Sequence, residues 1–288
     1  MSEQLFFLFR EIRVPHFSKV EESSPGKIIM IRIGTSGFSY KDWVGPVYPL
    51  KMPEKDWLSF YASQFSTVEL NVTFYRLPTS RNIDAWLRKT PEGFRFAVKA
   101  YRGLTHEREQ PDFDAFAKSI RPLADGGKLG CVLAQFPNSF HPVPENKEYL
   151  KKFRAELADF PLVAEFRHSA WAGAETLQML RDLSMGFCCV DEPQLKGLMP
   201  PSAVATSPVG YIRFHGRNAA HWYDHVDPAE RYDYEYTAEE LAEWVPKIRE
   251  VEDEAEETYV YFNNHPHGHG VAGARVLGKL LQIEHREE

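Results

Sequence analysis

Glu69, Glu165, Lys99 and His215 are the residues of this sequence best suited to moving protons or attacking a substrate, and each closes a short run rich in apolar residues. A carboxylate shielded by aromatic loops acquires a raised pKa suited to general acid or base work. A lysine desolvated near other cations acquires a lowered one, suited to general-base or Schiff-base chemistry. His215 titrates near neutrality unless its surroundings shift it. Each has a structural reading beside the chemical one: Glu165 paired with a neighbouring cation, Glu69 paired with Lys99. Two opposed carboxylates also suit glycoside cleavage, whose course depends on their separation.

Around these stand residues suited to holding a ligand. Arg167 and Arg213 present forked donors that match a carboxylate or phosphate. Asn71, Gln135 and Asn263 bring amides able to orient hydroxyls or carbonyls, and Asp191 closes another apolar run. Thr35 and Ser36 lie in "GTSGF", a turn that presents backbone amides to an anion or simply needs glycine flexibility. Glu69, Glu165, Asp191 and His215 include types that hard divalent ions accept, but no short spacing such as His-Glu-x-x-His supports a metal. No metal or other cofactor is expected.

The elements that must position these residues alternate in hydrophobic period. Eight strand candidates read "IIMIRIGTS", "TVELNVTF", "FRFAVKA", "LGCVLAQF", "LVAEFR", "GFCCVDE", "GYIRFHG" and "TYVYFNN". Helical stretches separate most of them, with Thr79 and Ser80 opening one and Thr237 with Glu240 forming a capping box before "AEELAEWVPKIREV". After the sixth strand, "EPQLKGLMPPSAVATSPV" has prolines and no helical period, which predicts an irregular crossover. The alternation predicts an α/β fold, a single parallel (β/α)8 barrel. An open doubly wound sheet would usually carry Gly-x-Gly-x-x-Gly or a P-loop lysine after its first strand, and neither is present.

Strand parity then sends Glu69, Asn71, Lys99, Gln135, Glu165, Arg167, Asp191, Arg213, His215 and Asn263 toward the barrel mouth, where such folds place their chemistry. His168 has the opposite parity to Arg167 and is expected to bond a loop backbone or helix start. The loop "GRNAAHWYDHVDPAERYDYEY" is too aromatic for a free tail, and reads as a lid that stacks on a planar ligand or seals the helix ring.

The net charge of −7, from 34 basic and 41 acidic residues, argues against a broad grip on nucleic acid or anionic lipid while leaving room for a local basic pocket. "LFFLF" near the start is far shorter than the ~20 residues a membrane helix needs. Cys131, Cys188 and Cys189 sit inside apolar runs without metal spacing, as expected of reduced thiols in a cytoplasmic protein. Residues 1–29 read as an N-terminal extension, with Met30 an alternative start, and residues 30–288 as the barrel.

"IRIGTSGFSYKDWVGPVYP", "VELNVTFYRLP", "FRFAVKA" with "THE", "LGCVLAQFPNSF", "AEFRHSAW", "YIRFHGRN" and "YVYFNNHPHGHGVAGARVL" together resemble the DUF72 family, also called YecE-like proteins. The resemblance implies a TIM-type barrel and assigns no roles to residues. The chemistry of the strand ends suggests an enzyme, a hydrolase or lyase, acting by acid-base catalysis on a small polar molecule that is anionic or rich in hydroxyls. The competing readings are a non-catalytic small-molecule binding module and a single-strand nucleic-acid platform built on the aromatic loop, the latter disfavoured by net charge.

Overall fold

A computed structural model describes residues 30–283, so the extension reading of residues 1–29 lies outside the described residues. Eight parallel strands form the barrel: β1 (Met30–Thr35), β2 (Thr67–Leu70), β3 (Arg95–Lys99), β4 (Leu129–Gln135), β5 (Leu162–Glu165), β6 (Met185–Asp191), β7 (Val209–Phe214) and β8 (Glu257–Phe262). Continuous pairing runs β1-β8-β7-β6-β5-β4-β3-β2. The seam between β1 and β2 is closed by a bridge between Ser36 and Glu69, with the Gly37 amide donating to the Glu69 carbonyl at 2.8 Å. Lower in the seam, the Tyr61 hydroxyl accepts from the Thr35 amide at 2.8 Å and donates to the Thr67 carbonyl at 3.2 Å. Gly34 permits this approach, because a Cβ there would stand 2.3 Å from the Thr67 carbonyl oxygen.

Helices at 57–64, 80–89, 113–125, 144–156, 174–182, 238–242, 245–254 and 269–280 cover the outside. Their apolar faces, with the outward residues of the strands, form one continuous core that includes Trp43, Phe96, Phe116, Val132 and Trp244. The segment 192–208 between β6 and β7 contains no helix, as its prolines require. The barrel interior is filled by Tyr211, Tyr259 and Tyr261, all fully buried. Where β3 and β4 shift register, Gly130 leaves room for Tyr259, whose hydroxyl would lie 2.3 Å from an added Cβ.

The structure differs from the sequence pattern in three places that matter for the site. The strand expected over 67–74 ends at Leu70, and Val72–Tyr75 turn into a short helix. Thr73 drives this: its hydroxyl reaches the carbonyls of Leu70 at 2.7 Å and Lys99 at 2.6 Å, competing with the strand ladder. The helix expected over 238–251 is broken into 238–242 and 245–254, because Pro246 supplies no amide and crowds the carbonyl four residues earlier. The capping box of Thr237 and Glu240 is present. The third difference, the facing of β6, concerns the site directly.

Candidate active site

The carboxyl ends of the strands bring the charged residues into one buried chain of hydrogen bonds. Arg213 on β7 lies at its centre: Nη2 donates to Glu69 Oε1 at 2.7 Å and Nη1 to Glu165 Oε2 at 2.6 Å. One guanidinium thus clamps both carboxylates. Glu69 also accepts from the Tyr211 hydroxyl at 2.7 Å, and Ser36 Oγ lies 3.3 Å from Arg213 Nη2. Glu165 Oε1 takes Arg167 Nε at 2.9 Å and His215 Nε2 at 3.1 Å, while Asn263 Nδ2 meets His215 Nδ1 at 3.2 Å. Glu69, Glu165 and His215 are fully buried and Arg213 is 1% exposed, so any one of these charges without its partners would be costly.

Electrostatics follow from this packing. Burial alone would raise the pKa of Glu165, but Arg167, Arg213 and the His215 hydrogen bond outweigh it and hold the carboxyl well below its usual range. Burial and then the charge of Arg167 press His215 down to about 3, against the pull of Glu165. The imidazole is therefore neutral near pH 7, and the Asn263 amide on Nδ1 leaves the ring proton on Nε2, directed at Glu165. Glu165 and His215 are accordingly each held in one charge state near pH 7.

Lys99 is different. It ends β3, half-buried, with Nζ 4.5 Å from the centroid of the Phe74 ring. Among the described residues its ammonium has no ion-pair or hydrogen-bond partner, so the expected Glu69–Lys99 pair does not form. Arg213 has taken Glu69 instead. Burial, followed by the charge of Arg213, lowers the Lys99 pKa to about 7, with Glu165 and Glu69 opposing.

Above the network lies a cavity of about 310 Å³ lined by Gln135, Arg167, His106, Trp222, Arg231 and Tyr232, among others. Burial and then the neighbouring charge of Lys99 lower the His106 pKa to about 4, so this ring is neutral as well. The aromatic loop forms the outer wall: Trp222 is buried, Tyr223 is 63% exposed, and the Arg231 guanidinium lies 5.6 Å from the Trp222 ring. Among the described residues Arg231 Nε is buried without a hydrogen-bond partner, and the lining includes two guanidinium groups and no carboxylate.

The remaining candidates fall elsewhere. Thr35 belongs to the seam, its hydroxyl donating to the Gly37 carbonyl at 2.7 Å and bonded to Tyr61 at 2.9 Å. Asn71 lines a neighbouring cavity of about 510 Å³ with Tyr40, Tyr75 and Trp86, its Oδ1 buried and without a partner. His168 Nδ1 accepts from the Ala170 amide at 3.1 Å at the start of a short helix.

Asp191 requires a correction, because β6 faces the other way from its expected parity. Cys189 Sγ points outward to the Val204 carbonyl, and Asp191 is bound in the helix layer by Arg217, by the Tyr236 hydroxyl at 2.6 Å and by Trp244 Nε1 at 2.6 Å. Glu192 takes the inward place, with Oε2 3.6 Å from Arg167 Nη1. Burial raises its pKa to about 7 against the opposing charge of Arg167. "GFCCVDE" is apolar on both faces and ends in two acids, so its alternation carried no signal about which acid enters the barrel.

His106 and Arg231 were also absent from the sequence-based candidates. His106 sits in "THE" just after β3, and the charged residue within an aromatic loop was the available sign for Arg231.

The profile of the family described as "Protein of unknown function DUF72" matches residues 32–288. The chain belongs to the DUF72 family. The UPF0759 protein YunF of Bacillus subtilis is 34% identical over 274 residues, covering 89% of this chain and 96% of that protein. A crystal structure of a DUF72 family protein from Thermotoga maritima is 40% identical with a TM-score of 0.82, covering 88% of this chain and 99% of that one. A DUF72 family protein from Enterococcus faecalis is 30% identical with a TM-score of 0.80, covering 89% and 97%. The DUF72 barrel described here thus has solved relatives over nearly its whole length. No described helix is long and apolar enough to cross a membrane.

Proposed function

We propose that this DUF72 protein is an enzyme that binds a small anionic, hydrogen-bonding molecule at the barrel mouth and acts on it by proton transfer, in a hydrolysis or elimination. The observation that carries this reading is the mouth cavity, which offers Arg167 and Arg231 to an anion and no carboxylate to repel it. Gln135 supplies an amide beside them, and the rings of Trp222 and Tyr232 line the sides of the cavity. Lys99, with a pKa of about 7, is a group able to take and return a proton at neutral pH, as is Glu192 beside Arg167. Glu69 and Glu165 hold Arg213, and Glu165 orients Arg167. Glycoside cleavage by this pair is disfavoured, because both carboxylates are engaged by one guanidinium.

Thermal melting with inorganic phosphate and with citrate tests the binding. Wild type is expected to gain stability with one of these anions, and Arg231→Ala to lose that gain. Incubating wild type and Lys99→Met with a metabolite extract, followed by mass spectrometry, tests catalysis: an anionic metabolite should disappear with wild type only. Binding by both without any chemical change would favour a non-catalytic module. Binding of single-stranded oligonucleotides that falls steeply with salt would favour the nucleic-acid platform instead. Failure of every anion to shift the melting of wild type would remove the basis of the reading.

A further inference from the structure

We propose that Lys99 is a nucleophile that forms a Schiff base with a small carbonyl compound bearing a carboxylate or phosphate. The inference rests on the anion-binding reading of the mouth and adds the chemistry of the reacting group.

The geometry begins with what Lys99 lacks. Three carboxylates, Glu69, Glu165 and Glu192, point into the same end of the barrel, yet each is engaged by an arginine and none pairs with the lysine. A lysine kept for charge balance would be expected to hold one of them. Lys128 shows the ordinary outcome in this fold, with Nζ donating to the carbonyls of Leu87 at 2.9 Å and Thr90 at 2.7 Å. Lys99 Nζ instead rests against the face of Phe74, with no hydrogen-bond or ion-pair partner among the described residues. Its half-burial leaves a route to it. Surrounding arginines favour loss of its proton, and Arg167, within the same cluster of charges, lines the anion cavity.

A ligand whose anionic group engaged Arg167 and Arg231 would direct its carbonyl to the His106 side of the cavity, where the His106 ring meets the Phe74 ring that carries Lys99. The neutral amine adds to the carbonyl carbon, forming the C–N bond while the π electrons move to oxygen. The proton lost from the lysine ammonium returns to that oxygen, giving a carbinolamine. Transfer of the nitrogen proton to the hydroxyl and loss of water then leave a protonated imine. In sum, ammonium plus carbonyl gives iminium plus water, with charge and atoms conserved and no outside oxidant. The iminium withdraws electrons from the adjacent carbon, which is the activation that an elimination needs.

The test treats full-length protein with glyoxylate, or with glycolaldehyde phosphate, in the presence of cyanoborohydride, which reduces an iminium to a stable secondary amine. Peptide mass mapping then locates the adduct. The expected result is one dominant adduct at Lys99 in at least one arm, about tenfold or more above exposed lysines such as Lys118 at neutral pH, as its lowered proton affinity requires. The arm that labels identifies the anion. The matching anion, citrate for the glyoxylate arm or inorganic phosphate for the other, should suppress labelling, and Lys99→Arg and Lys99→Met should abolish it with near-ultraviolet circular dichroism preserved and no loss of melting temperature. Adducts confined to exposed lysines in both arms would overturn the proposal. If phosphate or citrate still stabilises wild type in that case, the Schiff base alone is refuted; if neither does, the anion site fails with it.

Discussion

The two ends of the barrel interior solve the burial of charge in opposite ways. At the amino-terminal end, Arg32 is paired with Glu257 and donates to the Gly93 carbonyl at 3.0 Å, and the Tyr259 hydroxyl donates to the same Glu257. Thr67 and Tyr261 bond to each other one layer higher. Each of these polar groups is used by another. At the carboxyl end, Arg213 holds its two glutamates, but among the described residues Lys99 Nζ, Asn71 Oδ1, Arg213 Nε and Arg231 Nε have no hydrogen-bond partner. A fold does not leave such groups unmet without cost, so the contrast separates an end whose polar groups hold the barrel together from the end where we propose that a ligand binds.

The largest expected effect comes from removing the clamp. Arg213→Met leaves Glu69 and Glu165 buried without their shared cation, and urea unfolding should show a loss of about 3–5 kcal/mol. A loss below about 1 kcal/mol would mean the two carboxylates are not held by charge. At the other end, Arg32→Met leaves Glu257 with some access to water and should cost about 1–2 kcal/mol by the same measurement. Anion-induced melting shifts should be unchanged by it; a change would blur the division between the ends.

Lys99→Met is expected to act in the opposite direction. Burial lowers the Lys99 pKa from 10.5 to about 7, so between these values the unfolded chain holds a proton that the folded chain has released. Stability contributed by this residue therefore rises with pH across that window and is lowest below pH 7. Replacing it should raise the melting temperature at pH 7 by about 2–4 °C, corresponding to roughly 1 kcal/mol, and by less at pH 9.5. An equal gain at both values would place the effect in packing against Phe74. The smallest change is expected for Arg231→Ala, within about 0.5 kcal/mol in urea unfolding while phosphate binding is lost. Loss of stability with retained binding would make Arg231 a structural residue of the loop.

The sequence pattern was sufficient for the eight strands, the helix-free crossover and the capping at Thr237, because these depend on neighbours along the chain. Parity was also sufficient for β5 and β7, where apolar residues alternate with Glu165, Arg167, Arg213 and His215. It failed for β6, where both faces are apolar and adjacent acids compete for the interior. It failed again at Thr73, where a hydroxyl bridging two strand ends curtailed the strand.

What the sequence determined by itself was which residues stand at the strand ends, since hydrophobic period and strand length are local properties. Pairing was decided only by the tertiary structure. Whether Glu69 would meet Lys99 or Arg213 depends on how the seam between β1 and β2 closes and which strands face one another across the barrel. Because Arg213 reaches both glutamates at once, it satisfies two buried charges with one cation, and Lys99 is the group left without one.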